Sequence, residues 1–116
     1  VTDDQPRLTS RLLVDALLRK VQQMGGFGAI VHCGNSTAGA IVVECRNRAE
    51  LTDILEKATD FEGIASWRRI ALPDAAPAKW VDEYRARRIA GDADLWWIEL
   101  DIAGAARFAD EIIALR

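Results

Sequence analysis

The stretch WVDEYRARRIAGDADLWWIELD, residues 80–101, sets an arginine-bearing helix, an acidic turn and a tryptophan-rich strand in direct succession. Trp80, Val81, Tyr84 and Ile89 recur at helical spacing, Gly91 supplies a helix stop, and Asp92 and Asp94 are of the type that forms turns. From Leu95 the period changes to two. Trp96, Ile98, Leu100 and Ile102 form an inward face, leaving Leu95 and Trp97 on the face shared with Glu99 and Asp101.

The same stretch carries a resemblance. The arginines ending at Arg88, then Asp92-x-Asp94-Leu95-Trp96, then Ile98-Glu99-Leu100-Asp101 resemble the closing half of a bacterial family known as domain of unknown function 1491. Members of that family also tend to open with Arg-Leu-x-Ser and Ala-Leu-Leu-Arg-Lys, matched here by Arg7, Leu8, Ser10 and residues 16–20. Gly25-Gly26-Phe27 and Ala38-Gly39-Ala40-Ile41 match the steps that lead into the family's first two strands. The resemblance spans nearly the whole chain and is least close over residues 46–66. It implies a strand over 51–58, and it brings no activity and no functional residues with it.

Outward from the stretch, Thr9 or Ser10 caps a helix over residues 10–24, with Leu13, Ala16, Leu17, Val21 and Met24 at helical spacing and Gly25 to close it. Leu12, Val14 and Leu18 widen its apolar arc to roughly 200°, against the ~100° that one-sided packing needs, so the helix is either unusually covered or meets a second chain. Residues 27–33 and 40–46 read as a hairpin joined by Gly-Asn-Ser-Thr-Ala-Gly, both strands apolar on both faces as central strands are. Residues 51–58 fit a helical stripe too, and the strand is preferred. A turn at 60–63, a strand at 67–72, a helix opened by Pro73-Asp74-Ala75-Ala76-Pro77 and ended by Gly91, and a strand at 95–102 follow. Phe108, Ala109, Ile112 and Leu115 form the stripe of a last short helix. The expectation is one α+β domain over 7–116, an antiparallel-rich sheet of four to five strands packed with two to three helices, behind a flexible tail at 1–6.

With 116 residues, half of them hydrophobic, the chain is of single-domain size. No apolar run approaches the ~18 residues of a membrane span, so no membrane association is expected. Two cysteines in a domain of this size point to a reducing compartment, and the cytoplasm is the default. A net charge of −3 makes nucleic acid an unlikely main partner. Residues 67–88 hold six Lys or Arg against three carboxylates, and residues 89–116 hold two against six, blocks that pair with each other or are solvated.

His32, Cys33, Glu44 and Cys45 have the chemistry of metal ligands, but the expected hairpin register puts Cys33 ~17 Å from Cys45, and His32 ~13 Å from it, beyond the reach of zinc or a disulfide. His32 and Cys33 are strand neighbours that point to opposite faces, so the one histidine cannot activate that thiol. No catalytic residue, metal ligand or cofactor site is therefore assigned. Asp92-Ala93-Asp94 has the spacing of a divalent-cation pair, yet it follows a helix stop, where aspartates serve turns, and no phosphate loop or dinucleotide motif accompanies it.

Arg88 falls at the centre of the apolar face of its helix, so an acid should meet it: Asp92, Asp94, Glu99 or Asp101 within the chain, or else an anion or a partner's carboxylate. Trp67 beside Arg68-Arg69, and the adjacent Trp96 and Trp97, offer base stacking with phosphate neutralisation, although core packing accounts for them more simply. The leading expectation is a small non-catalytic interaction protein that self-associates as a homo-oligomer through the first helix or the Leu95/Trp97 face. The alternatives are an enzyme or anion-binding protein with a site at Arg85, Arg88, Asp92 and Asp94, walled by Trp67 and Trp97, and an RNA-binding module using Trp67, Arg68, Arg69 and residues 85–88.

Overall fold

Thr9 opens the first helix: its hydroxyl accepts the Leu12 N–H at 3.2 Å, and α1 runs over Ser10–Gln23. Gly25, at φ 86°, ends it, with Gly25 N–H donating to Gln22 O and Gly26 N–H to Val21 O, the pairing that a left-handed glycine makes possible. Ser10 does other work. It is buried, and its Oγ donates to Gly39 O at 2.6 Å, tying the start of the helix to the loop before the second strand.

The computed structural model describes residues 9–114. After α1 come β1 (Phe27–His32), β2 (Ile41–Asn47), β3 (Glu50–Thr59), β4 (Ala65–Arg69), α2 (Ala78–Gly91), β5 (Trp96–Asp101) and α3 (Ala105–Ala114). The five strands form one sheet in the order β1-β5-β2-β3-β4, antiparallel throughout except for the parallel pair β2 and β5. The α+β class, the antiparallel-rich sheet and the strand at 51–58 agree with the sequence. The expected tail at 1–6 and the side chains of Ile112 and Leu115 lie outside the described residues.

The hairpin of β1 with β2 is a correction. The strands run in opposite directions, as a hairpin requires, but β5 lies between them and pairs with both. The eight residues between them bridge the two ~4.8 Å strand spacings instead of turning within one. This bridge is fastened to the start of β5. Asn35 N–H donates to Asp94 O at 2.9 Å, Trp96 Nε1–H donates to Asn35 O at 2.7 Å, and His32 Nδ1 lies 2.7 Å from Leu95 O. Gly34 and Gly39 are needed for this approach, since a Cβ at either would overlap the Asp94 carbonyl. The register that separated Cys33 from Cys45 was therefore wrong; both thiols are nonetheless free, Cys33 exposed and Cys45 buried.

Helices cover both faces. Leu13, Val14, Leu17 and Val21 of α1 and Ala105 and Ala109 of α3 pack on Ile41, Val43, Cys45, Leu55, Trp96, Ile98 and Leu100. On the other face Val81 of α2 joins Val42, Ile54, Leu95 and Trp97, with Trp80, Tyr84 and Ile89 packed around them. The wide apolar arc of α1 is thus met largely by the sheet and α3, leaving Leu12 and Met24 exposed. Leu95 and Trp97 have no accessible surface, so the Leu95/Trp97 face is not available to a second chain. Expected to be central, β1 is an edge strand, half-exposed along its length.

Candidate functional site

The side chains that the sequence singled out for chemistry converge, in part, beneath α2. Alternation along β2 sends Val42, Glu44 and Arg46 toward that helix, and the parallel register sets Glu44 beside Glu99 of β5. Glu44 is only 2% exposed. Its Oε1 accepts Arg85 Nη1–H at 3.1 Å and Trp97 Nε1–H at 2.9 Å, and its Oε2 accepts Arg46 Nε–H at 2.5 Å. Three donors on a buried carboxylate replace the water it lost. Arg85 also meets Asp82 at 2.7 Å, and its guanidinium lies 5.7 Å from the centre of the Trp97 ring.

Arg88, three residues along α2 from Arg85, points to the sheet with 27% of its side chain exposed. Both of its terminal nitrogens donate to Glu56 of β3, at 3.1 and 2.9 Å, and one of them also donates to Tyr84 Oη at 2.9 Å. The bidentate bond to Glu56 raises the Arg88 pKa above its already high usual value, against the opposing effect of burial. An acid was expected and is present, but it comes from β3, not from Asp92, Asp94, Glu99 or Asp101. Trp80 stacks on Tyr84 at 5.2 Å, and Tyr84 meets Trp97 edge-on at 6.1 Å, so the two ion-pair centres are joined by an aromatic row.

The remaining candidates are elsewhere. Asp92 caps the end of α2 and accepts the Asp94 N–H at 3.1 Å; both are exposed and serve the turn into β5. Trp67 lies on the opposite face of the sheet from Trp97, where its Nε1–H donates to Ala109 O at 2.8 Å and holds α3. Asp101 accepts the N–H groups of Arg48 and Ala49 at 2.8 Å each, securing a β2–β3 turn whose two residues lie in the left-handed region. Arg68 pairs with Glu56 and Arg69 with Asp53. The arginines proposed to meet an anion or RNA are thus committed to the chain's own carboxylates. Arg87 is the exception in residues 85–88: it is exposed, with its guanidinium 5.6 Å from the Tyr84 ring centre.

Burial raises the pKa of Glu99, and the nearby Glu44 charge adds to the rise. Burial likewise pushes the Cys45 thiol to about 12, which makes it inert as a nucleophile at neutral pH. Among the described residues no three His, Cys, Asp or Glu side chains are grouped to hold a metal ion, and no helix is long and apolar enough to cross a membrane. Sequence reasoning weighed Glu44 only as a metal ligand, not as an arginine partner, and missed Glu56. The signal for Glu44 was present: a lone acid inside the apolar run Ile41-Val42-Val43-Glu44-Cys45 has to be buried and compensated.

A family model described as a protein of unknown function (DUF1491) matches residues 8–110. The fold is similar to the crystal structure of a DUF1491 family protein from Caulobacter crescentus CB15, with 26% identity, a TM-score of 0.75, and coverage of 88% of this chain and 94% of that one. The NMR structure of a DUF1491 family protein from the same organism is similar at 26% identity and a TM-score of 0.75, over 90% of this chain and 94% of that one. A solution structure of a protein from A. tumefaciens is similar at 27% identity and a TM-score of 0.65, over 83% of this chain and 86% of that one. No curated protein matches the chain.

Proposed function

We propose that this chain, which belongs to the DUF1491 family, is a non-catalytic interaction protein of the cytoplasm that self-associates through the free edge of β1. The supporting observation is a difference between the two edges of the sheet. At one edge β4 carries Arg68 and Arg69, charges of the kind that discourage strand addition. At the other, β1 reads Phe-Gly-Ala-Ile-Val-His with neither Lys, Arg, Asp, Glu nor Pro, and Phe27 (57%), Ile30 (38%) and Val31 (45%) are exposed along it. Met24, exposed just before the strand, extends the patch.

An edge with open backbone groups and exposed apolar side chains accepts another strand. Two copies related by a twofold axis pair β1 with β1 antiparallel, which satisfies both edges and closes the assembly. The exposed Cys33 thiol just beyond β1 fits a reducing compartment.

Light scattering at about 100 μM, well above the micromolar range, tests the reading. The wild type is expected to be at least dimeric. Val31→Lys places a charge on the edge at a half-exposed position, so it leaves the fold intact and removes the β1–β1 contact. A wild-type protein that scatters as a clean 12.8 kDa monomer overturns the reading.

A further inference from the structure

The turn between β3 and β4 holds Phe61 with 97% of its surface exposed, beside Ile64 at 56%. The backbone beneath the ring is fixed: Asp60 Oδ1 accepts the N–H groups of Glu62 and Ile64, both at 2.9 Å, and Gly63 N–H donates to Asp60 O. A firmly built turn thus presents an apolar ring flanked by the carboxylates of Asp60 and Glu62.

A hollow of about 290 Å³ lies between the end of α1 and the start of α3. Met24 and Phe108 give it apolar walls, and Lys20, Arg107 and Glu111 line it too. Neither Lys20 nor Arg107 has a carboxylate partner among the described residues. It falls just below the ~300 Å³ of the smallest usual ligand pockets, a scale that suits one inserted side chain.

Turn and hollow lie toward opposite ends of α1. Thr59, at the end of β3, shares a cavity with Thr9 and Ser10 at the start of α1. Lys20 and Met24 lie at the other end of that helix, which is roughly 21 Å long at the ~1.5 Å rise per residue. Phe61 therefore does not reach the hollow of its own chain.

We propose that Phe61 of one copy seats between Met24 and Phe108 of a second copy, with Asp60 and Glu62 meeting Lys20 and Arg107. The two surfaces differ, so the contact is head-to-tail and adds copies in a row or a ring. It uses residues separate from β1 and does not depend on the β1 contact.

The test uses the full chain carrying Val31→Lys, which takes the β1 edge out of play. In that background Phe61→Ser leaves a molecule with a hollow and no plug, and Lys20→Glu with Arg107→Glu leaves a plug and no charge-matched hollow. Sedimentation velocity is expected to show each alone as a monomer and their equimolar mixture as a one-to-one pair. The parent with both surfaces intact forms species that grow with concentration, and Phe61→Ser weakens that growth at least tenfold. Phe61 makes no packing contacts to lose, so Phe61→Ser melts as its parent does. A mixture that sediments as two monomers, or Phe61→Ser protein that associates as its parent does, overturns the proposal. In the otherwise wild-type chain, association abolished by Val31→Lys and untouched by Phe61→Ser would leave only the β1 reading; the converse would leave only this one.

Discussion

On the side of α1 and α3 the sheet buries hydrocarbon, with Val43, Cys45, Ile98 and Leu100 meeting Leu13, Leu17 and Val21. On the side of α2 the same strands bury Val42 and Trp97 together with the carboxylate of Glu44, closed over by Arg85 and Arg46. The two faces begin from one alternating pattern in β2 and β5, and they differ in how tightly each residue depends on particular partners. Leu17 needs contact area, which many side chains supply. Glu44 needs three donors at set distances, which Arg46, Arg85 and Trp97 supply.

The largest expected effect breaks the α2 face at its centre. Glu44→Leu leaves two guanidinium groups and an indole N–H without their shared acceptor and should cost ~3–5 kcal/mol, measured by urea unfolding. Leu17→Ala, on the other face, should cost ~2–5 kcal/mol through lost contact and a cavity. The two differ in rescue. Adding Arg85→Met to Glu44→Leu should recover much of the loss, because the unpaired charge was the penalty, and a double-mutant cycle reads this as a large coupling. Additive losses would mean that Glu44 is held by packing and that the two faces are alike.

A smaller effect is expected at Arg88. Arg88→Met keeps the stem against Tyr84 and removes the bidentate bond to Glu56, and it should cost ~1–2 kcal/mol, at the low end for a charged hydrogen bond, because Arg68 still meets Glu56. A variant as stable as the wild type would place Arg88 among ordinary surface arginines.

What was legible in the sequence follows the distance over which each feature is determined. The Thr9 cap, the Gly25 stop, the helix closed at Gly91 and the strand that follows are set by residues within one or two turns, and they are where the pattern put them. The place of β5 between β1 and β2 was not legible, since a loop containing Gly, Asn and Ser serves a tight hairpin and a bridge over an inserted strand equally well. That Arg88 requires an acid was legible from its place on the helix. Which acid was not, because Glu56 is 32 residues upstream and reaches Arg88 only once β3 has paired with β2. The Leu95/Trp97 face, which also carries Glu99 and Asp101, reads in the sequence as one open to a second chain; it is covered by a helix bringing its own arginine.

The smallest expected effect concerns Glu99, which lies beside Glu44 in the parallel register and, among the described residues, lacks the short hydrogen bonds that Glu44 accepts. Burial first, and the Glu44 charge second, raise its pKa, while Arg46 and Arg85 pull it down without cancelling the rise. A carboxyl with a raised folded-state pKa holds its proton more tightly in the folded protein than in the unfolded chain. Its favourable contribution is therefore fully present below the unfolded value of ~4.3 and is lost as the pH rises through the folded value. Glu99→Gln removes the charge while keeping the shape, so the variant should have a higher urea midpoint than the wild type at pH 7. The gap should close as the pH is lowered below the ordinary carboxylate range, where the wild-type side chain is neutral too. A variant less stable than the wild type at pH 7 would mean that the Glu99 anion is a net partner of Arg46 and Arg85. The α2 face would then rest on two acids sharing two arginines, and Glu44 alone would no longer account for its difference from the hydrocarbon face.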